Sequence, residues 1–263
     1  MLVFNGELVH ASEITFEELE RGFFYGDGCF ETLRLHGGRL PLWTYHLERL
    51  KEGAGLLGLL VPQPLESAEE VERLARLLMP PGRTGGRFRL ALWRKDGKGR
   101  RPVGDKAHWL LQYLGDGPAF FQRLTVHPFP LSRTHFATGP KWLGQREYTL
   151  QALPVQEEEA ILVTSEGHLC EGLHANIWVV KGDQLITPPL HTGCINGVWR
   201  RAVLARRRQW SFQVVEKDVS ISVLNSSTPL MMGNALRGFF PIGAYPFPDK
   251  WAVEVHQTLW SVS

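Results

Sequence analysis

Residues 159–201 read EAILVTSEGHLCEGLHANIWVVKGDQLITPPLHTGCINGVWRR, and this stretch decides the fold. It contains three strand-like pieces, Ala160–Thr164, Asn176–Lys181 and Gln184–Thr187, with a glycine in each turn between them. Glu171 is a lone acid among these apolar pieces. A carboxylate placed among strands suits a bound ligand, although an acid in water at a strand edge explains the same pattern.

The end of this stretch predicts a phosphate site. A glycine-bearing turn, Gly193–Gly197, opens a run whose spacing predicts a helix over Val198–Arg208. The first N–H groups of a helix and the positive end of its dipole favour a phosphate. An N-cap at Asn196 would explain the same residues. Beside Glu171, such a site suits a cofactor with a phosphate at one end and a basic ring nitrogen at the other.

Composition narrows the class of protein. The chain has 263 residues, of which 43% are hydrophobic, enough for one large domain or two smaller ones. A net charge of +2 argues against nucleic acid as a partner. The three cysteines, Cys29, Cys170 and Cys194, are too few and too irregular for a disulfide framework or a zinc site. Neither a signal peptide nor an apolar membrane stretch is evident, so we expect a soluble, cytoplasmic protein.

The order of patterns predicts a mixed α/β protein of two domains. Gly115-Asp116-Gly117-Pro118 interrupts the periodicity and predicts a linker over 115–120. The linker would join a small N-terminal α/β domain, 1–114, to a larger C-terminal mixed β/α domain, 121–263. In the first domain the patterns predict a hairpin, two helices and further strands, at 1–9, 43–60, 65–79, 87–94 and 106–114.

A glycine-rich segment near the N-terminus predicts part of a ligand pocket. Gly22, Gly26 and Gly28 indicate a loop before the strand Cys29–Leu35. A dinucleotide fingerprint has the opposite order, strand before loop, so nucleotide binding is not predicted. We expect a pocket wall in which Tyr25 offers a hydroxyl, and a tight turn packed with aromatic residues remains the alternative.

Lys141 stands out among the eight lysines. No charged residue lies within four positions of it, and Trp142 and Leu143 follow it. A lysine in an apolar setting becomes a nucleophile and a proton carrier, although a surface lysine with a buried stem explains the same pattern. On the predicted helix over 43–60, His46 and Arg49 are three residues apart, and this spacing predicts a solvated face.

Three blocks of the chain resemble the fold-type IV pyridoxal-phosphate enzymes. This family contains branched-chain and D-amino-acid aminotransferases and aminodeoxychorismate lyases. The blocks are RGFFYGDGCFETLRLHGGRLPLWTYHLERL over 21–50, GPKWL over 139–143 and CEGLHANIWVVKGDQLITPPLHTGCINGVWRR over 170–201. The last is similar to the long signature of the family, and the resemblance covers nearly the whole chain.

The resemblance implies pyridoxal 5'-phosphate (PLP) as the cofactor. It implies that Lys141 forms the Schiff base and that Glu171 holds the pyridine nitrogen. The residues implied for the rest of the cofactor, chiefly its phosphate, are Arg49, Asn234 and the backbone of Ile195 and Asn196. The chain departs from the family pattern at Gly144, Cys170, Trp178 and Gly233, and only Arg146 and Tyr148 are local candidates for the phenolic oxygen of the cofactor.

The segment Asn234-Ala-Leu-Arg-Gly238 is similar to that of the lyases rather than to the Thr-Ala-Ala-Glu-like or Ser-Ser-x-Glu-like stretch of the aminotransferases. The resemblance therefore implies a lyase that converts 4-amino-4-deoxychorismate to 4-aminobenzoate and pyruvate for folate synthesis. An aminotransferase acting on D-amino or branched-chain amino acids and a catalytically silent PLP-binding paralogue remain alternatives. A homodimer is also implied.

Substrate carboxylates need a cation, and four arginines are candidates. They are Arg34, Arg89, Arg94 and Arg237. Arg237 is favoured because it lies in the segment that separates lyases from aminotransferases, although each of the four could equally be a surface residue.

Overall fold

A computed structural model gives the fold of the protein. It describes residues 1–97, 99, 101–116, 124–130 (backbone only), 140–144, 159–243 and 245–260. The helix expected near 147–157, with Arg146 and Tyr148, lies outside the described residues, as does most of the expected linker.

Contacts divide the chain into two compact units. The first unit is 1–117 with 140–145 and 262–263, and the second is 118–139 with 146–261. Lys141 thus groups with the N-terminal part of the chain, whereas Glu171 belongs to the second unit. The predicted mixture of helices and sheets is confirmed.

The part of the first unit that the structure describes forms one antiparallel sheet of five strands in the order β2-β1-β5-β4-β3. The strands are β1 Leu2–Phe4, β2 Glu7–Val9, β3 Gly28–Leu35, β4 Gly86–Arg94 and β5 Ala107–Tyr113. Along β3 the side chains alternate, so that Glu31, Leu33 and Leu35 are buried while Thr32 and Arg34 are half-buried. This alternation places Glu31 on the core face of the sheet.

Three helices accompany this sheet: α1 Phe16–Tyr25, α2 Trp43–Leu56 and α3 Ala68–Leu78. Apolar residues of α2 and α3, such as Leu50 and Leu74, share a core with Leu33 of β3. Burial of such side chains stabilises the fold by ~1.5–3 kcal/mol each.

The loop predicted over Gly22–Gly28 is wrong in its first part, because α1 continues to Tyr25. A capping box between Thr15 and Glu18 starts this helix. Gly22 lies where the helix passes Trp93, since a Cβ there would meet the indole at 3.1 Å. Gly26 then ends the helix with a φ of 58°.

The described residues of the second unit form two sheets. The first has five strands in the order β11-β10-β9-β12-β13, and the second has three in the order β6-β7-β8. The strands are β6 Leu124–Pro130, β7 Glu159–Val163, β8 Leu169–Gly172, β9 Asn176–Lys181, β10 Gln184–Thr187, β11 Gln213–Glu216, β12 Leu230–Asn234 and β13 Gly238–Phe240. Two described helices, α4 Val198–Ala205 and α5 Asp249–Trp260, complete it.

The core of the second unit joins both sheets. Ile161 of β7, Ile177 of β9 and Met232 of β12 are fully buried in one apolar cluster. The cysteines Cys29, Cys170 and Cys194 are buried, and none of them forms a disulfide. Burial raises the pKa of Cys194 to about 11. Across the described residues, no helix is both long enough and apolar enough to cross a membrane.

Candidate active site

Lys141 lies at the edge of the first unit's sheet. Phe30 N–H donates to the Lys141 carbonyl at 2.8 Å, and Leu143 N–H donates to the Gly28 carbonyl at 3.0 Å. The segment around Lys141 thus pairs with the edge strand β3. The lysine side chain is half-buried, and its Nζ lies 5.6 Å from the centroid of the Phe30 ring. Backbone pairing therefore fixes the position of this lysine.

A buried charge cluster lies on the core face of β3, beneath α2. Glu31 is only 1% exposed. Its Oε1 accepts from Arg49 Nε at 2.7 Å, and its Oε2 accepts from Arg49 Nη2 at 2.5 Å. His46 Nδ1 lies 2.7 Å from Oε2. The solvated face predicted for His46 and Arg49 is wrong, because α2 turns both side chains towards the carboxylate of β3.

Burial and the neighbouring charges determine whether Glu31 and His46 carry a proton. Burial alone would raise the pKa of Glu31, but the charge of Arg49 and the hydrogen bond from His46 override burial and lower it to about 2. Burial lowers the pKa of His46, and the charges of Arg49 and Lys141 lower it further, against the opposing effect of Glu31. At neutral pH, Glu31 is therefore ionised and His46 is neutral. No acceptor among the described residues contacts Arg49 Nη1, which leaves that nitrogen for a ligand.

In the second unit, several segments meet at one end of the sheets. Ile161 of β7 is opposite Gly172 of β8, and Gly233 of β12 is opposite Asn176 of β9. Asn176 Nδ2 also donates to the Ile195 carbonyl at 2.8 Å. The β8–β9 turn, the end of β12 and the start of α4 therefore surround one place. We call this place the strand-end site.

Glu171 is buried in the strand-end site, at 4% exposure, and not in water at a strand edge. Its Oε2 accepts from Ile195 N–H at 2.9 Å. The two residues that were expected at opposite ends of a cofactor thus contact each other here. Sequence reasoning missed the strand β8, since its four residues include an acid and a glycine.

The start of α4 has no side-chain cap. Gly197 is the N-cap residue and makes no side-chain hydrogen bond. The alternative of Asn196 as N-cap is wrong, because its Oδ1 accepts from Arg200 Nη1 at 3.1 Å. A Cβ on Gly197 would overlap Asn176 Oδ1, so the backbone is closely packed against β9. Uncapped N–H groups at a helix start are donors for an anion.

Sequence reasoning gave no role to Arg200, which lies in the first turn of α4. It is buried, and besides Asn196 it donates to the Pro188 carbonyl at 3.0 Å and pairs with Glu216. The guanidinium thereby fixes Asn196 and the turn before α4. Its position at the end of the quoted signature block was the available signal.

Asn234 has its side chain engaged within the protein. Oδ1 accepts from the N–H groups of Leu236 and Arg237, each at 3.0 Å, and Nδ2 donates to the His174 carbonyl at 3.1 Å. The amide thus closes the 234–237 turn and ties it to the β8–β9 turn.

The arginines proposed for substrate differ in their surroundings. All three nitrogens of Arg94 donate to protein acceptors, one of them to Asp27 at 3.0 Å, so the substrate role predicted for Arg94 is wrong. Arg237 is 8% exposed, with its guanidinium 5.0 Å from the Phe240 centroid. Arg34 and Arg89 lie on the outer face of the first sheet, and Arg89 is exposed. Tyr25 is exposed and lies beneath the Arg21 guanidinium.

A family model described as amino-transferase class IV matches residues 28–245. The chain belongs to the class IV aminotransferase family. The match includes Arg49, Lys141, Glu171, the start of α4 and the segment at Asn234.

Relatives within the class IV aminotransferases have different activities. An aminodeoxychorismate lyase of Bacillus subtilis is 26% identical over 92% of this chain and 85% of its own. A D-alanine aminotransferase of Bacillus licheniformis is 26% identical over 92% and 87%. A branched-chain-amino-acid aminotransferase of Pseudomonas aeruginosa is 24% identical over 82% and 75%. The specific activity is therefore not decided by these similarities.

Solved structures share the fold. A 4-amino-4-deoxychorismate lyase from Pseudomonas aeruginosa has a TM-score of 0.81 at 22% identity, with 98% of each chain covered. A hypothetical aminotransferase from Mycobacterium tuberculosis in its PLP-bound form has a TM-score of 0.76 at 19% identity, with 100% of each chain covered.

Enzymes of the class IV family use PLP, and this protein is a PLP-dependent lyase or aminotransferase. The residues present fit this cofactor. The uncapped start of α4 offers donors to a phosphate, and the buried Glu171 offers a carboxylate to a protonated ring nitrogen.

The close packing at Gly197 gives a first prediction. We expect Gly197→Ala to destabilise the protein by ~1–3 kcal/mol and to weaken PLP binding, because the added methyl displaces Asn176 from the start of α4. Denaturant unfolding and PLP titration measure the two effects. Gly55→Ala is the matched control, since a Cβ there meets nothing within 4 Å. Unchanged PLP affinity in Gly197→Ala would contradict the role of this turn.

Proposed function

We propose that the protein is a PLP-dependent lyase that converts 4-amino-4-deoxychorismate to 4-aminobenzoate and pyruvate. The observation that carries this proposal is the set of hydrogen bonds made by the Asn234 side chain. Its amide accepts from two N–H groups and donates to the His174 carbonyl. A threonine or serine, as in the aminotransferase patterns, offers a single hydroxyl in place of two separate polar atoms. It could not bridge the two turns in the same way.

Two residues would carry the chemistry. When bound, PLP supplies an electron sink for the carbon that bears the substrate's amine. Lys141 would hold the cofactor covalently and then, once displaced by the substrate, remove the proton from that carbon. Glu171 would keep the ring nitrogen protonated. Its burial supports this role, because a buried carboxylate is stabilised by a partner that carries a proton and a positive charge.

Cationic side chains on the outer face of the first sheet favour a substrate that carries carboxylates. The Arg89 guanidinium lies 5.1 Å from the Phe30 centroid, and Lys141 Nζ lies 5.6 Å from the same centroid. A single phenyl ring therefore separates an exposed cation from the proposed catalytic lysine. Arg34 lies on the same face, opposite Arg87 in the strand pairing.

Arg237 and Tyr25 remain proposed substrate residues. Arg237 follows Asn234 in the turn of the second unit, and its N–H donates to the Asn234 side chain. Tyr25 keeps an exposed ring at the end of α1.

The neutral variant of Glu171 gives a second prediction. We expect Glu171→Gln to lower kcat by about 100-fold, because the amide keeps the bond from Ile195 but cannot hold a proton on the ring nitrogen. The PLP absorbance should persist, and steady-state kinetics give the loss. Glu166→Gln, on an exposed turn of the same unit, is the control and should behave as the wild type. A Glu171→Gln enzyme of normal kcat would remove Glu171 from the proposed chemistry.

A coupled assay tests the lyase directly. Chorismate, an ammonia donor and aminodeoxychorismate synthase generate the substrate, and added protein should release 4-aminobenzoate. No 4-aminobenzoate, together with turnover of D-alanine and 2-oxoglutarate, would overturn the lyase proposal.

An aminotransferase acting on D-amino or branched-chain amino acids is the second candidate. Relatives with those activities are as similar to the chain as the lyases are. A catalytically silent paralogue is the third, and it would bind PLP but turn over neither kind of substrate.

The lyase proposal also implies a pathway, a cellular compartment and an oligomeric state. We place the reaction in folate synthesis in the cytoplasm, and the assembly as a homodimer. Phe23 and Phe24, at 70% and 58% exposure, provide apolar surface for a second copy. Light scattering would give twice the mass of one chain, and a monomer would reject the homodimer.

A further inference from the structure

Gly53 lies where helix α2 approaches the segment that carries Lys141. It is buried in α2, on the same face as Arg49, one turn earlier. A Cβ built on Gly53 would lie 3.0 Å from Pro140 Cβ and 3.2 Å from Cys29 Sγ. Both distances are shorter than ordinary van der Waals contact, so any larger residue at this position must displace a neighbour.

Pro140 directly precedes Lys141 in a segment that β3 holds on its other side. Phe30 N–H donates to the Lys141 carbonyl at 2.8 Å, which joins the segment to the edge of the sheet. The contact between Pro140 and Gly53 holds the same segment against the helix. Because Pro140 is buried and its ring has little freedom, pressure on it moves the backbone of Lys141 rather than a flexible side chain.

Helix α2 also carries residues of the buried charge cluster. Arg49, which the resemblance implies for the cofactor phosphate, is held by Glu31 through its Nε at 2.7 Å. The charge of Lys141 contributes to the lowered pKa of His46, so the lysine lies within electrostatic reach of this face of α2. A single helix therefore positions Arg49 and, through Gly53, contacts the Lys141 segment.

We propose that Gly53 is a positioning residue for Lys141, because its lack of a side chain lets Pro140 pack against α2 and so sets where the lysine meets the cofactor. This inference rests on the proposed role of Lys141 as the residue that binds PLP. An alanine at position 53 would force its neighbours to give by a few tenths of an ångström. Such a shift matters, since a misplacement of about 1 Å can slow a reaction by about 100-fold.

Gly53→Ala tests this role, with Gly55→Ala as the matched control. Both replace a glycine of α2 by alanine, but a Cβ on Gly55 meets nothing within 4 Å. PLP is removed from each protein and added back, and the growth of the visible absorbance is followed without substrate. We expect this growth to be about 10-fold slower in Gly53→Ala, with kcat lowered to a similar extent and KM near the wild type. Gly55→Ala should match the wild type.

Second substitutions identify the contact that transmits the effect. Pro140→Gly removes the nearer Cβ, so Gly53→Ala combined with Pro140→Gly should form the absorbance faster than Gly53→Ala alone. Pro140→Ala keeps that Cβ and should give no such rescue. Cys29→Ala makes room at the other contact, on β3, and should leave the defect in place.

Two results would overturn the proposal. One is a Gly53→Ala protein that forms the absorbance at the wild-type rate. The other is a defect that Pro140→Gly does not relieve or that Cys29→Ala relieves as well, since crowding of the core would then be its cause. If Gly53→Ala does not fold, Pro140→Gly alone decides: slower formation supports the contact, and a wild-type rate overturns it.

Failure of the proposed role of Lys141 is recognised separately, in the wild type. Borohydride would then fix the cofactor on a different lysine. The choice between lyase and aminotransferase does not affect the test, because the visible absorbance is followed before any substrate is added.

Discussion

Lys141→Ala is expected to lower turnover by about 10³-fold or more and to abolish the visible absorbance of the PLP-loaded protein. The side chain would supply both the covalent attachment and the proton transfer, so its loss removes two functions at once. The fold should survive, because the bonds that join this segment to β3 come from the backbone at Gly28 and Phe30. Steady-state kinetics, the absorbance spectrum and thermal unfolding measure these effects on the same preparation.

Lys181→Ala is the matched control, since Lys181 is the exposed last residue of β9. It should keep the spectrum and the rate. A Lys141→Ala protein that retained turnover within about 10-fold of the wild type would remove Lys141 from the chemistry.

Glu31→Ala is expected to be the most destabilising of these changes, by ~3–5 kcal/mol in the free energy of unfolding. The substitution leaves the Arg49 guanidinium buried without its carboxylate and removes the hydrogen-bond partner of His46. Arg49 should also lose its orientation, so we expect weaker PLP binding. Denaturant unfolding gives the first effect, and PLP titration gives the second. Glu17→Ala, on the exposed side of α1, should cost less than about 0.5 kcal/mol.

The loss of stability caused by Glu31→Ala should depend on pH. The pKa of Glu31 in the folded protein, about 2, lies below its ordinary value of 4.5. Its stabilising contribution is therefore complete above about pH 4.5 and is lost as the pH falls towards 2. The stability difference between the wild type and Glu31→Ala should shrink over that acidic range. A stability difference between the two proteins that stayed constant down to about pH 2 would contradict an ionised Glu31.

Local sequence patterns predicted the strands well where an apolar run is bounded by typical turn residues. The strands at 176–181 and 184–187 have the expected bounds, because apolar runs with a glycine turn between them allow little else. The pattern failed at α1, where Gly22 suggested a loop although a capping box and close packing on Trp93 favour a helix.

The candidate site depended on contacts that local patterns do not carry. Spacing along α2 suggested a wet face for Arg49, because nothing nearby in sequence signals that Glu31 lies opposite. Likewise, no periodicity shows that the Lys141 segment adds to the edge of β3. The roles of Arg49 and Lys141 came from the resemblance to the family. The lone acid Glu171 and the glycine turn before α4 predicted a cofactor with a phosphate at one end and a basic ring nitrogen at the other.

The most direct test of the account is to treat the PLP-loaded wild type with borohydride and to map the modified lysine by peptide mass spectrometry. Borohydride should abolish the visible absorbance and leave the reduced cofactor on the peptide that contains Lys141, with the other lysines unmodified. Reduced cofactor on a different lysine, or no attached cofactor at all, would contradict the assignment of Lys141 and the active site built around it.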